Sequence, residues 1–235
     1  FGRFNPIYYQ NNTSSSSGAA LNFDFGGVGL DFAYLTQNGF DPRDKNGLFN
    51  GDYAALAQLV LFPKGNFNIG LTYVRYYSPG SRVNLTSSTG SGFAQRPFGN
   101  VATSSDNFGA QLNWRLSQNF VFGGWFGYSI AEAQSGPDEG DNANIMNYAV
   151  SLGFTDFGRK GNFLGLTAGV PPKVIDSDNN AREDDDTTYH LEAFYRIQAT
   201  NNISITPGVF VLLNPEHNDN NNTIYVGTIR TTFSF

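Results

Sequence analysis

The sequence predicts an all-β fold, a transmembrane antiparallel up-and-down β-barrel contributing twelve strands in this chain. Three observations predict it. Apolar and polar residues alternate at a period of two, and no amphipathic helix pattern lasts three turns. The connections between alternating stretches are short and long by turns, as in membrane barrels and not in sandwiches. Finally, no run of about 18 apolar residues is present to form a membrane helix. A mean hydropathy of −0.32 is therefore no argument against a bilayer.

The alternation places strands at 1–9, 19–25, 28–37, 53–63, 67–78, 107–116, 120–134, 145–158, 163–175, 187–199, 203–214 and 224–235. Most approach or exceed the roughly 9–11 residues that a tilted strand needs to cross a bilayer. The short connections are 26–27, 64–66, 117–119, 159–162 and 200–202, where Gly and Asn are expected to supply positive φ. The long ones are 10–18, 38–52, 79–106, 135–144, 176–186 and 215–223.

Composition sorts along the same axis. Tyr34, Tyr53, Tyr77, Tyr128, Tyr148, Tyr189 and Tyr225 lie towards the long loops, whereas Phe25, Phe62, Phe67, Phe120, Phe163 and Phe233 lie beside the short turns. These form two aromatic girdles at headgroup depth. The long loops hold fifteen of the twenty acids, including Asp184, Asp185 and Asp186, while the short turns carry Lys64, Arg159 and Lys160. This sorting puts the short turns in the periplasm and the long loops outside.

Faces follow from the alternation. Phe108, Ala110, Leu112, Trp114 and Leu116 share one face, and Asn107, Gln111, Asn113 and Arg115 the other. In 187–199, Tyr189, Leu191, Ala193, Tyr195 and Ile197 oppose His190, Glu192, Arg196 and Gln198. A charge facing lipid near the midplane costs about 2–4 kcal/mol, so the charged face is the lumen. The candidate pore-lining residues are Arg3, Asp24, Asp31, Arg115, Lys173, Glu192, Arg196 and Arg230. Arg75 and Asp156 break the pattern; Arg75 is expected at the outer rim, against a lipid phosphate, and Asp156 beside a turn.

The last strand carries Tyr225, Gly227, Ile229, Thr231, Phe233 and Phe235 on one face and Val226, Thr228, Arg230, Thr232 and Ser234 on the other. One apolar face and one polar face suit a wall between lipid and water. Taken alone, this segment leaves an edge strand of a soluble sandwich open as the lesser alternative. Its ending on Phe235 resembles the C-terminal assembly signal of bacterial outer-membrane barrels, with Phe233 and Phe235 as its aromatic members.

Other functions find no support. With no cysteine there is no disulfide scaffold and no thiolate chemistry. A net charge of −6 argues against nucleic-acid binding. Asp176, Asp178 and Asn180 imitate the start of a calcium loop, but Ala181 replaces its glycine and Thr187 its closing glutamate. Gly26, Gly27 and Gly29 form a hairpin turn with no helix after it, not a nucleotide cradle. His190 and His217 have no sequence neighbour that would make a Ser–His pair, so an outer-membrane hydrolase is a remote alternative; no cofactor, metal or catalytic site is expected. The loop 79–106, with its 28 residues, is long enough to fold into the mouth of a pore, and equally suits a floppy external loop.

The stretch Phe1 to Tyr8, the long loop after Pro79, residues 203–210, Asn218 to Ile224 and the ending Gly227 to Phe235 resemble the cyanobacterial porins of the OprB-like family. These are porins of the iron-uptake or carbohydrate-selective type. The resemblance implies a homotrimer in outer-membrane lipid, each barrel of about sixteen strands. It further implies barrel-assembly machinery as a partner and an N-terminal surface-layer-homology domain gripping peptidoglycan-linked polymer. Residues 1–235 are then one porin domain, the C-terminal part of a barrel whose first strands and periplasmic anchor are absent. The chain opens without Met or a leader segment, so a processed or truncated chain is expected. The expected function is passive diffusion of inorganic ions and small polar solutes, set against a structural or receptor barrel with a plugged lumen.

Overall fold

The computed structural model describes residues 16–62 and 65–234. Eleven strands form one antiparallel sheet in which every strand pairs with its sequence neighbour. They are β1 (Ser16–Asp24), β2 (Val28–Gln37), β3 (Tyr53–Leu61), β4 (Phe67–Ser78), β5 (Thr103–Arg115), β6 (Phe120–Ala133), β7 (Asn142–Thr155), β8 (Phe163–Ser177), β9 (Tyr189–Thr200), β10 (Ile203–Leu213) and β11 (Ile224–Phe233). The strand expected at 1–9 lies outside the described residues, so eleven of the twelve expected strands are seen. Among the described residues β1 and β11 are the two edges of the sheet.

Expectation and structure agree to the residue for β2 and β4. At the short turns β3 and β7 stop at Leu61 and Thr155, before the expected 63 and 158, and at the long-loop ends β5 and β7 are extended. β5 starts at Thr103 and not Asn107, and β7 at Asn142 and not Ile145. Both extensions are polar, and pairing with longer partner strands gives their backbone groups ladder hydrogen bonds. Left-handed backbone is distributed differently from the expectation, with Asp156 and Gly158 adding to the turn at 159–162. Positive φ falls on Gly26 and Gly161, but at 62–66 it falls on Phe62 and not on Gly65. At 201–202 a register shift between Ile203 and Ser204 accommodates the bend instead.

The two faces of the sheet differ in what covers them. On the face we call outward, Phe108, Trp114, Phe126, Leu191 and Ile229 are exposed. The inward face is covered, over β4–β8, by the segment 79–102 that joins β4 to β5. Val83, Leu85, Ala94 and Phe98 of that segment are buried against Val74, Tyr76, Ala131, Ala133, Ile145 and Val174. The hydrophobic core therefore lies on the inward side. No described helix is long and apolar enough to cross a membrane.

Candidate channel lining

The covering segment is held by three neighbours at the long-loop end of the sheet. Its one helical turn, α1 (Gly92–Gln95), is capped by Ser91, whose hydroxyl oxygen accepts from the Ala94 N–H at 3.0 Å. The same hydroxyl donates to Asp184 Oδ2 at 2.7 Å, and that oxygen also accepts the Val174 N–H at 2.7 Å. The Gly92 N–H donates to Glu216 Oε2 at 2.8 Å, and Arg182 Nη1 donates to the Arg96 carbonyl at 3.2 Å. Loops 178–188 and 214–223 thereby grip the turn from the far side.

A β-bulge makes this grip possible. Asn147 of β7 faces both Pro171 and Pro172, because the register moves from Met146–Lys173 to Tyr148–Val170 with one extra residue on β8. The Pro172 carbonyl accepts from the Ser91 N–H at 3.2 Å and from His217 Nε2 at 2.9 Å. Gly90 passes so close that a Cβ there would meet the Pro172 oxygen at 2.1 Å, and its φ of +76° also suits glycine alone. His217 is buried; its Nδ1 accepts the Thr188 N–H at 2.8 Å, so Nε2 carries the proton. Burial pushes His217 down to about 4 and Asp184 up to about 6, the latter despite nearby Lys173.

The inward face of β9–β11 presents a different surface. Glu192, Phe194, Arg196, Thr206, Phe210 and Arg230 line a hollow of about 1220 Å³. The Phe163 and Phe194 rings stack at 5.8 Å, and the Arg196 guanidinium sits 5.7 Å over the Phe163 ring. Glu192 Oε2 lies 3.3 Å from His190 Nε2, and His190 in turn stacks on Phe210 at 5.3 Å.

The expected pore residues fall as follows. Glu192 and Arg196 share the hollow, and Arg230 stands opposite Thr206 within it. Asp31 lies on the inward phase of β2, where Asn22 Nδ2 donates to it at 2.6 Å. Asp24 accepts the Gly26 N–H in the turn after β1, and Arg115 ends β5 beside the short turn. Lys173 does not keep the expected phase: the bulge sets it opposite Met146, and Nζ donates to Thr187 Oγ1 at 3.1 Å. Two consecutive prolines were the available signal for that bulge. Phe233 is exposed on the outward phase, while Arg3 and Phe235 lie outside the described residues. Arg75 is at the rim as expected, but its Nη1 meets Asp106 Oδ2 at 2.7 Å across the strand pair.

An open strand-by-strand sheet, apolar outside, with charged side chains on the inward face of β9–β11 and a loop folded over the inward face of β4–β8, is porin architecture. The comparisons agree. Residues 5–235 match the family described as carbohydrate-selective porin, OprB family. The chain belongs to that family. An uncharacterized protein from Synechocystis sp. is 40% identical over 252 residues, spanning 100% of this chain and 45% of the relative. One from Nostoc sp. is 33% identical over 248 residues, with shares of 100% and 42%. The chain thus spans less than half the length of the curated relatives it matches. A solved porin structure shares the fold at a TM-score of 0.62 and 10% identity, covering 95% of this chain and 63% of that one. The family and the fold are those of outer-membrane porins.

Proposed function

We propose that the OprB-family chain forms most of a passive diffusion channel for small polar solutes, and that solute passes between the segment 79–102 and the inward wall of β9–β11. The observation that carries this reading is the contrast within the lumen. One arc is filled by an apolar plug, and the facing arc keeps a wide hollow lined by aromatic rings, two arginines and a glutamate. Rings flanked by charges suit sugars, which offer apolar faces and hydroxyl edges, and the family description points the same way. Charged side chains in a narrow passage also set ion preference through their local field, so inorganic ions belong to the same reading.

The remaining parts of the reading rest on length and on the edges. The relatives are more than twice as long as this chain, so their additional sequence has room for further strands pairing with β1 and β11. Those strands would complete a barrel of about sixteen, since an open edge in a bilayer leaves backbone groups unsatisfied. Residues 1–235 are then one porin domain, assembled as a homotrimer, with long loops outside, Phe233 and Phe235 engaging the assembly machinery, and a periplasmic anchor on peptidoglycan-linked polymer. The second reading, a receptor barrel with a plugged lumen, draws on the buried segment itself. Planar-bilayer recording of the full-length protein separates them. Stepwise conductance that persists with maltose or glucose gradients supports the channel, and silence in every salt sinks it.

A further inference from the structure

The inward wall over β8–β11 carries one row of residues at a single height near the short turns. Phe163 of β8 pairs with Arg196 of β9, and Thr206 of β10 pairs with Arg230 of β11. Ile205 faces Ile197 and Gly208 faces Phe194, which sets Thr206 against Arg196. The Thr206 hydroxyl therefore stands between two arginines whose strands lie about 10 Å apart, two strand spacings. Both arginines are exposed, and among the described residues neither forms an ion pair with a carboxylate. Arg196 rests over Phe163, but a guanidinium on a ring face still directs its N–H donors sideways.

Beside this row the wall is flattened into a platform. Phe194 lies across Gly165, where a Cβ would run into its ring, and Phe163 lies across Gly153, where a Cβ would meet its ring at 2.9 Å. Glycine in these strands thus lets both rings lean onto the wall and turn a face, not an edge, to the hollow. Arg196 occupies Phe163, so Phe194 is the ring left to a solute. Glu192 lies four residues along β9 from Arg196, roughly 13 Å. It is the one acid among the described residues lining the hollow, and His190 Nε2 is 3.3 Å from it. The hollow offers, in order, an acid, an aromatic face, and two guanidiniums with a hydroxyl between them. We propose that it is a subsite for a sugar acid, a monosaccharide carrying one carboxylate. The carboxylate sits between Arg196 and Arg230, the ring face lies on Phe194, and the hydroxyls donate towards Glu192. A neutral sugar would use the ring but leave both guanidiniums without a charged acceptor. An inorganic anion would use the guanidiniums and not the ring. The inference rests on this hollow being the solute passage proposed above, and names the solute.

Full-length protein in detergent would be titrated with glucuronate, glucose and acetate at low ionic strength, with binding read by saturation-transfer NMR. Block of single-channel current by the same three solutes is recorded alongside in planar bilayers. We expect glucuronate to bind about tenfold more tightly than glucose or acetate, the worth of one charge-assisted hydrogen bond. Arg230→Gln should bring glucuronate down to the level of glucose and leave glucose binding unchanged, which also reports an intact fold. Phe194→Ala should weaken glucuronate and glucose alike and leave acetate as it was. Glucuronate no tighter than acetate reduces the site to a general positive field, and glucuronate no tighter than glucose makes it a neutral-sugar site. Either result overturns the proposal, as does unchanged glucuronate binding in Arg230→Gln. Glucuronate binding with silent bilayers sinks the channel reading and leaves the sugar-acid site standing. Conduction without a glucuronate preference sinks the site and leaves the channel.

Discussion

The wall formed by β4–β8 and the wall formed by β9–β11 share one alternation and use it in opposite ways. Inward residues of the first include Val74, Ala131, Ala133, Ile145 and Val174, apolar and buried under the segment 79–102, with buried polar Asn107 and Asn147 between them. Inward residues of the second are Glu192, Phe194, Arg196, Thr206 and Arg230, lining a hollow. The difference shows that the lumen phase of such a sheet is not uniformly polar. Where it turns apolar towards the long loops, something apolar has come in to cover it, because burying that surface contributes about 25 cal/mol per Å².

The largest expected effect comes from breaking the covered wall. Phe98 is 3% exposed in the inward core, and Phe98→Ala leaves a cavity worth about 3–5 kcal/mol. That exceeds what the few hydrogen bonds at Ser91 and Gly92 supply, at about 1 kcal/mol each. The segment should therefore detach, single-channel conductance should rise severalfold, and added protease should cut between Arg82 and Arg96. Unchanged conductance with a protected segment would show that the two walls do not differ in this way.

The next effect concerns the pH response of the grip. Asp184 is raised to about 6 when the segment is docked, so docking binds its proton early and gains as pH falls from about 6 towards the ordinary carboxylate range. His217 is lowered to about 4, so docking is intact above its ordinary 6.5 and is lost as pH falls from there to about 4. Protonating Nδ1 would set two N–H groups, its own and that of Thr188, against each other. The two responses oppose over the same window, and wild-type conductance should stay nearly level from pH 6.5 to 4. Asp184→Asn keeps an acceptor for Ser91 and Val174 but removes the compensating proton. Its conductance should then rise as pH falls through that window, as the segment releases. His217→Gln should respond in the other direction. If Asp184→Asn tracks wild type across the whole range, the two groups are not the pH-dependent part of the grip.

Much of this contrast was legible in the sequence, and the missing part has a definite physical form. Strand existence, the period of two and the charged residues Glu192, Arg196 and Arg230 follow from pattern alone, because one-dimensional alternation carries face information. The inward fold of the loop 79–106 is not decided by the sequence, since its length is compatible with both outcomes. The deciding signal was chemical: Val83, Leu85 and Phe98 in a loop otherwise rich in Ser, Thr and Gly match apolar lumen-phase residues of β4–β8. The roles of Asp184, Glu216 and His217 could not be read, because they depend on loops that meet across the sheet. Lys173 was misphased since a bulge resets alternation without changing composition.

The smallest predicted effect tests whether the open wall senses charge. Arg230 stands on the inward phase of β11 opposite Thr206, within the hollow, and Arg196 lies over Phe163 on β9. Arg196 is thus partly committed to its ring, at about 0.5–1 kcal/mol for an exposed cation–π pair, whereas the Arg230 charge faces the hollow. Acidic loops at the mouth favour cations before either arginine is met. Arg230→Glu reverses one charge at the wall itself, so the reversal potential in a salt gradient should move towards cations by several millivolts. Arg196→Gln should move it less and cost a little stability. Equal shifts from both would mean the wall acts through its summed charge. No shift from Arg230→Glu would place the passage elsewhere in the lumen.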